Sequence, residues 1–269
     1  MEFECAEFIR CYVGPMDALF PFLTTSHLIL ALLVALISGL VKGVVGFAMP
    51  LVLISGLTFF IAPEYALAGL ILPTLVSNMM QSLRQGPTAA WQSIKLFRVF
   101  LIAGGITLVI AAQLVRVVPD DVLKLVIGIP VVFFAVLQLS GYQFHLAKRT
   151  TIVEACAGGF AGVMGGMSGV WGPPTVAYLT ALNTPKYDQM RIQGVIYGLG
   201  SAALAGAHIG SGVLRAETWP FSAALILPAA LGMWIGGKVM DKIDQQLFRR
   251  ATLFVLLVAG ANLVRRALF

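Results

Sequence analysis

Long apolar runs alternate along the chain with short polar links. The runs fall near residues 26–61, 65–84, 96–115, 122–142, 152–182, 189–212, 219–239 and 247–267. Several have the 18 or more apolar residues that a helix needs to cross a hydrocarbon core of about 30 Å. Backbone groups in lipid must be satisfied internally, which favours helices. The pattern therefore predicts an all-α integral membrane protein, a single membrane domain over residues 1–269. The first and fifth runs do not fit ordinary spans. Residues 26–61 would make a helix of about 54 Å at about 1.5 Å per residue, and both runs carry Gly and Pro in their middle.

Those two runs also match each other. Gly39, Gly43, Gly46 and Pro50 recur as Gly162, Gly166, Gly169 and Pro173, each 123 positions later. Further on, Val122 to Leu139 aligns with Gln246 to Leu263 at an offset of 124, with Asp120 ahead of one and Asp244 ahead of the other. The chain thus reads as two homologous four-segment halves, about 26–142 and 152–267. Glycines alone could be explained by close helix packing, as in Gly158, Gly162 and Gly166. A proline at one matched position needs more, because it removes a donor and clashes with the preceding turn. It is favoured in the first turn of a helix. Segments 1 and 5 are therefore expected to be broken or re-entrant, with Pro50 and Pro173 opening new half-helices.

Charge refines this picture. Only 11% of residues are charged, against about 25% in soluble domains. The net charge of +6 comes from Lys and Arg in the links, without the basic, aromatic-studded stripe of a nucleic-acid groove; no nucleic-acid partner is expected. If all eight segments cross, the basic residues divide 9 to 8 between the two sides, which decides nothing. If segments 1 and 5 are hairpins, they divide 11 to 6 with Lys42 at a tip. The positive-inside rule then places the 143–151 link in the cytoplasm and both termini outside. Each half would cross an odd number of times, making the halves inverted, a plan that transporters use. The short arms of segment 5 leave a single broken crossing open there. The acidic start (Glu2, Glu4, Glu7, Asp17) does not read as a cleaved signal peptide.

The polar chemistry is sparse. Cys5, Cys11 and Cys156 have no metal spacing, and Cys156 is expected as a small packing residue. His27, His145 and His208 form no ligand set. No catalytic residue, metal site or cofactor is expected. The acidic residues lie at segment ends or in links, so the carboxylate relay of many transporters is missing. Lys42 alone is a deep charge. Backbone N–H groups at 46–49 and 169–172 open the two half-helices at the positive ends of their dipoles, an arrangement that binds anions.

The substrate-binding candidates are accordingly Lys42, Gly43, Gly46, Phe47, Ala48, Met49 and Pro50 at the first break. Gly166, Gly169, Val170, Trp171, Gly172 and Pro173 are those at the second, and Asn78 and Gln81 come from the second segment. Arg84, Arg191 and Gln193 are candidates for an entrance, or for fixing orientation. Alternatives stay open: Lys42 could snorkel to water or be neutral, Trp171 could simply pack, and Asn78 and Gln81 could bond helix to helix.

The runs GLVKGVVGFAMP and GVMGGMSGVWGPP, with the stretch GGMSGVWGPPTVAYLTALNTPKYDQMRIQGVIYGLGS, resemble the sulfite exporter TauE/SafE family of bacterial membrane permeases. The resemblance covers nearly the whole chain. It implies a multi-pass protein of the bacterial inner membrane that exports sulfite, an organosulfonate or a similar sulfur-containing anion. The anionic preference read from Lys42 and the half-helix ends agrees with this independently. A carrier or channel for another small anion or sulfur metabolite is the alternative. An intramembrane enzyme would need a reactive constellation at depth, and an inert complex subunit is a third class. The substrate, ion coupling and oligomeric state are left open, with a homodimer among the options.

Overall fold

The computed structural model describes residues 22–114, 120–142, 146, 149–168, 171–210 and 213–268. Among these the chain is helical, with no strand. The helices are α1 (Thr25–Val45), α2 (Met49–Leu57), α3 (Pro63–Leu83), α4 (Pro87–Leu96), α5 (Arg98–Leu114) and α6 (Asp120–Leu139). They continue as α7 (Thr151–Ser168), α8 (Gly172–Ala181), α9 (Lys186–Gly210), α10 (Trp219–Ala224), α11 (Ile226–Lys242) and α12 (Gln245–Leu268). Four are long and apolar enough to cross a membrane: α1, α3, α10 with α11, and α12. A fifth is added if α4 and α5, bent by 72°, count as one span.

The outer surface suits lipid. Ile29, Leu33 and Ile37 stand exposed along one face of α1, as do Ile102, Ile106 and Ile110 on α5. Soluble monomers rarely show apolar faces so continuous.

The long first run resolves into a hairpin, not one helix. Gly46 ends α1 with φ of 85°, its N–H bonded back to the Lys42 carbonyl at 2.7 Å. Only glycine takes that left-handed conformation without a side-chain penalty. Pro50 sits in the first turn of α2, which runs back so that Gly56 rests on Val34. Then α3 starts beside the start of α1, where Tyr65 stacks on Phe22 with ring centroids 3.9 Å apart. It ends beside the end of α1, where Gln81 Nε2 donates to the Gly46 carbonyl at 3.0 Å. The fifth run behaves alike. After α7 breaks, α8 returns until Ala181 accepts from the Leu146 N–H at 2.9 Å, just ahead of α7.

Glycine stripes set the packing. Gly39 lies on Ala229 and Gly43 on Gly236, so α1 and α11 touch backbone to backbone and run parallel. Likewise Gly158 lies on Phe100 and Gly162 on Gly104, aligning α5 with α7. Two other pairs are antiparallel. Gln81 reaches Met190 while Asn78 reaches Ser201, pairing α3 with α9. Gln138 meets Arg249 while Gly128 meets Gly260 and Val264, pairing α6 with α12. Pro73 inside α3 leaves the Gly69 carbonyl without its helical donor. Ser222 on α10 supplies it at 3.3 Å and accepts from Leu72 N–H at 3.1 Å.

Ion pairs sit at the two ends of the bundle. At the end reached by α3 and α11, Arg84 pairs with Asp241 at 2.6 Å. There too Lys186 donates to the carbonyls of Met240, at 2.9 Å, and Ile243. At the opposite end Arg215 joins Glu64 at 2.6 Å and Glu217 at 3.1 Å.

Two expectations change. Cys156 is exposed on α7 and does not pack inside, because the glycine positions of that helix, not Cys156, meet α5. The polar link after Gln85 contains α4, a further helix announced only by Gly86-Pro87, with proline in its first turn. Cys5, Cys11 and His145 lie outside the described residues.

Candidate functional site

The two hairpin tips meet at an internal cavity of about 50 Å³. Phe47, Ala48, Pro50 and Leu51 line it from the first tip, and Trp171, Gly172 and Pro173 from the second. Lys42, Thr74, Asn78 and Tyr197 complete the wall. A water needs about 10–15 Å³ measured this way, so the space suits a solute of a few heavy atoms. Three pairs of residues 123 apart line it together: Ala48 and Trp171, Pro50 and Pro173, Thr74 and Tyr197. Just behind the wall, Asn78 Nδ2 donates to Ser201 Oγ at 3.2 Å, again 123 positions away.

Lys42 is the chemical centre. Its side chain does not reach water, with 1% of the residue exposed. The ammonium donates to Ser77 Oγ at 2.8 Å and to Asn78 Oδ1. In its ammonium form, with three N–H donors, Lys42 would have one left over, and no carboxylate among the described residues pairs with it. A buried cation without a counter-charge is costly; a bound anion would supply the missing charge. Ser77 and Asn78 are themselves held: Ser77 Oγ bonds to the Thr74 carbonyl at 3.1 Å and lies 3.2 Å from Met49 sulfur, while Asn78 Nδ2 also donates to the Tyr197 carbonyl at 3.1 Å.

The first tip adds fixed dipoles. Ala48, with φ of 70°, caps α2. The N–H groups of Phe47, Ala48 and Leu51 donate to none of the described residues, as expected of the open first turn of a helix. Pro173 and Pro174 remove two such donors from α8, so the second tip offers fewer. Its Gly172 carbonyl accepts from Tyr197 Oη at 3.1 Å. Trp171 fills the space between Gly165 and Gly200, where a Cβ would come within 2.6 and 2.7 Å of the ring.

Other candidates lie elsewhere. Gly43 and Gly166 face α11 and α5 and make the helix contacts there. Met49 is buried under the cavity wall against Ser77. Gln81 donates to the carbonyls of Gly46 and Met190, and Gln193, with its amide nitrogen turned to the carbonyls, donates to Val45 and Gly46 at 3.3 and 3.1 Å. The two glutamines thus clamp the first tip. Arg191 pairs with Asp188 at 2.9 Å and bonds Ser93 at 2.8 Å; Arg84 is held by Asp241. Gly169 and Val170 lie outside the described residues.

Besides a recess of about 260 Å³ between α5, α7 and α9 that shares Trp171 with the cavity, two others flank the site. One, of about 550 Å³ between α2 and α12, shares Ala48 and Leu51 with the cavity and carries Asn262 and Arg265. The other, of about 370 Å³, holds Arg84, Lys238 and Asp241 and shares no residue with the cavity. The Gly46–Gln81–Gln193 clamp lies on that side.

Sequence reasoning missed Thr74, Tyr197 and Leu51. Thr74 lies one turn before Asn78 on the same helical face, and Tyr197 stands at the repeat offset from it. Both could have been found by extending the register of the breaks into the next segment.

The family model described as sulfite exporter TauE/SafE matches residues 31–263. That match covers both hairpin tips and every residue of the cavity wall. No curated protein and no solved structure matches the chain.

Proposed function

The chain belongs to the sulfite exporter TauE/SafE family, membrane transporters of sulfur anions and not enzymes, and from that premise we propose that it exports sulfite or a small organosulfonate from the cytoplasm, binding it between the two hairpin tips. The observation that carries this reading is Lys42, buried at a cavity of solute size with no carboxylate partner among the described residues, so that as an ammonium it would have one donor to spare. The unpaired N–H groups of α2 add positive potential at the same wall. An inside-negative membrane potential drives an anion outward by about 2.3 kcal/mol per charge per 100 mV, so a uniport suffices.

We further propose that residues 26–142 and 152–267 are inverted repeats. Under the 123-residue register α3 corresponds to α9 and α6 to α12, and both pairs run antiparallel. The same exchange turns the α1–α11 contact into the α7–α5 contact. The cavity would then lie on the axis relating the halves. The 11-to-6 division of basic residues orients it, with the 143–151 link cytoplasmic and both termini outside. The recess beside Asn262 and Arg265 would open outward, and the Gly46 clamp with the Arg84–Asp241 pair would close the cytoplasmic side.

Orientation has its own test. Single cysteines at Ser140 and Leu268, in a protein lacking Cys5, Cys11 and Cys156, should react with an impermeant reagent from opposite faces. Labelling of both from one face would rule out the inverted plan. For function, purified protein in sealed vesicles should take up sulfite down its gradient, whereas uptake no faster than in protein-free vesicles would contradict transport. An inert subunit would give that second result, and an enzyme would alter the solute instead of moving it.

A further inference from the structure

Thr74 is the cavity's unexplained group. It sits on α3 one turn ahead of Asn78, immediately after Pro73, and only 5% of it is exposed. Its hydroxyl Oγ1 is buried and has no hydrogen-bond partner among the described residues. A threonine in a helix ordinarily bonds its hydroxyl back to the carbonyl three or four residues earlier. Thr58 and Thr107 do so in this chain; Thr74, Thr180 and Thr252 do not, and of these three Thr74 lines the cavity. Buried hydroxyls without partners are rare in native proteins and call for an explanation. Lys42 lines the same cavity, and as an ammonium it would have one donor beyond its bonds to Ser77 and Asn78.

Resting on the anion-binding reading above, we propose that Thr74 is a direct solute ligand, its hydroxyl donating to one oxygen of an anion whose charge meets Lys42. Two donors of different kind then face the solute, a charged one from α1 and a neutral one from α3. Such a pair favours an oxyanion, which offers several acceptor oxygens at separate positions, over a monatomic anion of similar charge, which offers one centre. The selection is geometric and does not depend on sulfur: a carboxylate or phosphorus oxyanion small enough to fit would satisfy the same two donors. Sulfite and methanesulfonate are therefore the oxyanion probes, and bromide is the monatomic one.

The rest of the lining reinforces the assignment. Tyr197, which lines the same cavity at the repeat offset from Thr74, already spends its hydroxyl on Gly172. The asymmetry leaves Thr74 as the hydroxyl donor available to a solute, with the aromatic and proline surfaces of the second tip lining the same cavity.

The test compares wild type, Thr74→Val and Thr74→Ser in vesicles at matched abundance, with thermal stability measured in detergent. Valine keeps the shape and removes the hydroxyl, so kcat/KM for sulfite and methanesulfonate should fall about ten- to a hundredfold, the range of a hydrogen bond to a charged group. Any bromide flux should change little, and Thr74→Ser should recover most of the loss. Without solute, the melting temperature of Thr74→Val should equal or exceed that of wild type, because an unsatisfied buried polar atom is removed. The rise that sulfite gives wild type should shrink in the variant. Wild-type sulfite flux with an unaltered Thr74→Val would overturn this inference and leave the transport reading standing. Wild-type vesicles that pass neither oxyanion would overturn both. A Thr74→Val protein whose melting temperature falls in step with its flux, for all three anions, would mark Thr74 as structural and also overturn the inference.

Discussion

Replacing Lys42 by Met should reduce anion flux by about two to four orders of magnitude while leaving the protein inserted. Methionine keeps much of the length of the lysine but removes the cation. Taking one partner from a buried charged pair costs about 3–5 kcal/mol, and about 1.36 kcal/mol corresponds to a tenfold change. The side chain cannot escape to water, since it is enclosed and tied to Ser77 and Asn78. Lys42→Arg should keep partial activity: it retains the charge, but a planar guanidinium does not reproduce the ammonium's contacts. Flux of sulfite and methanesulfonate at matched abundance checks both variants. Full activity in Lys42→Met would leave the half-helix end as the sole anion-attracting feature of the site.

Gly46→Leu is expected to be the next most damaging change, lowering flux at least about tenfold. Two effects add at this position. The φ of 85° costs a residue with a Cβ about 1–2 kcal/mol. That Cβ would also press on the Gln193 amide and come within 2.6 Å of the Met190 sulfur. Relieving the clash means moving the tip, which breaks the clamp on the Gly46 carbonyl from Gln81 and Gln193. Phe47 and Ala48 follow directly in the chain, so the cavity wall moves too. Normal flux from an inserted Gly46→Leu protein would confine this glycine to a packing role.

The helices were legible because lipid demands long apolar runs, and the hairpins because proline and glycine recur at one spacing. Lys42 stood out for a simple reason: a lone charge deep in an apolar run has few innocent explanations. What pattern could not separate was the direction each glycine faces. Gly43 and Gly46 look equivalent in sequence, yet Gly43 meets α11 and Gly46 shapes the tip. That distinction depends on which neighbour packs against α1, a long-range contact with no local signature. Gln193 shows the same limit. Its place at the start of a segment makes it an entrance candidate, but nothing local announces that its amide faces the first tip from the other half of the chain. Thr74 escaped notice because a threonine in an apolar helix ordinarily satisfies itself, and only the structure shows its hydroxyl unpaired.

On the reading proposed above, the cavity's joint construction from both tips accounts for two breaks where one would make an anion site. A single half-helix end would leave the solute open on its far side. Trp171, Gly172 and Pro173 close that side without adding charge, so the solute need not be held so tightly that it cannot leave.

The central claim, that a small sulfur oxyanion passes through this site as a charge, is tested most directly by potential-driven efflux. Vesicles loaded with sulfite and containing either wild type or Lys42→Met are held at zero potential and then at an imposed inside-negative potential. The account predicts efflux from wild type that accelerates as the interior becomes more negative, and efflux near the protein-free rate from Lys42→Met at every potential. Sulfite efflux that ignores the potential, or that is equal in the two proteins, would contradict it.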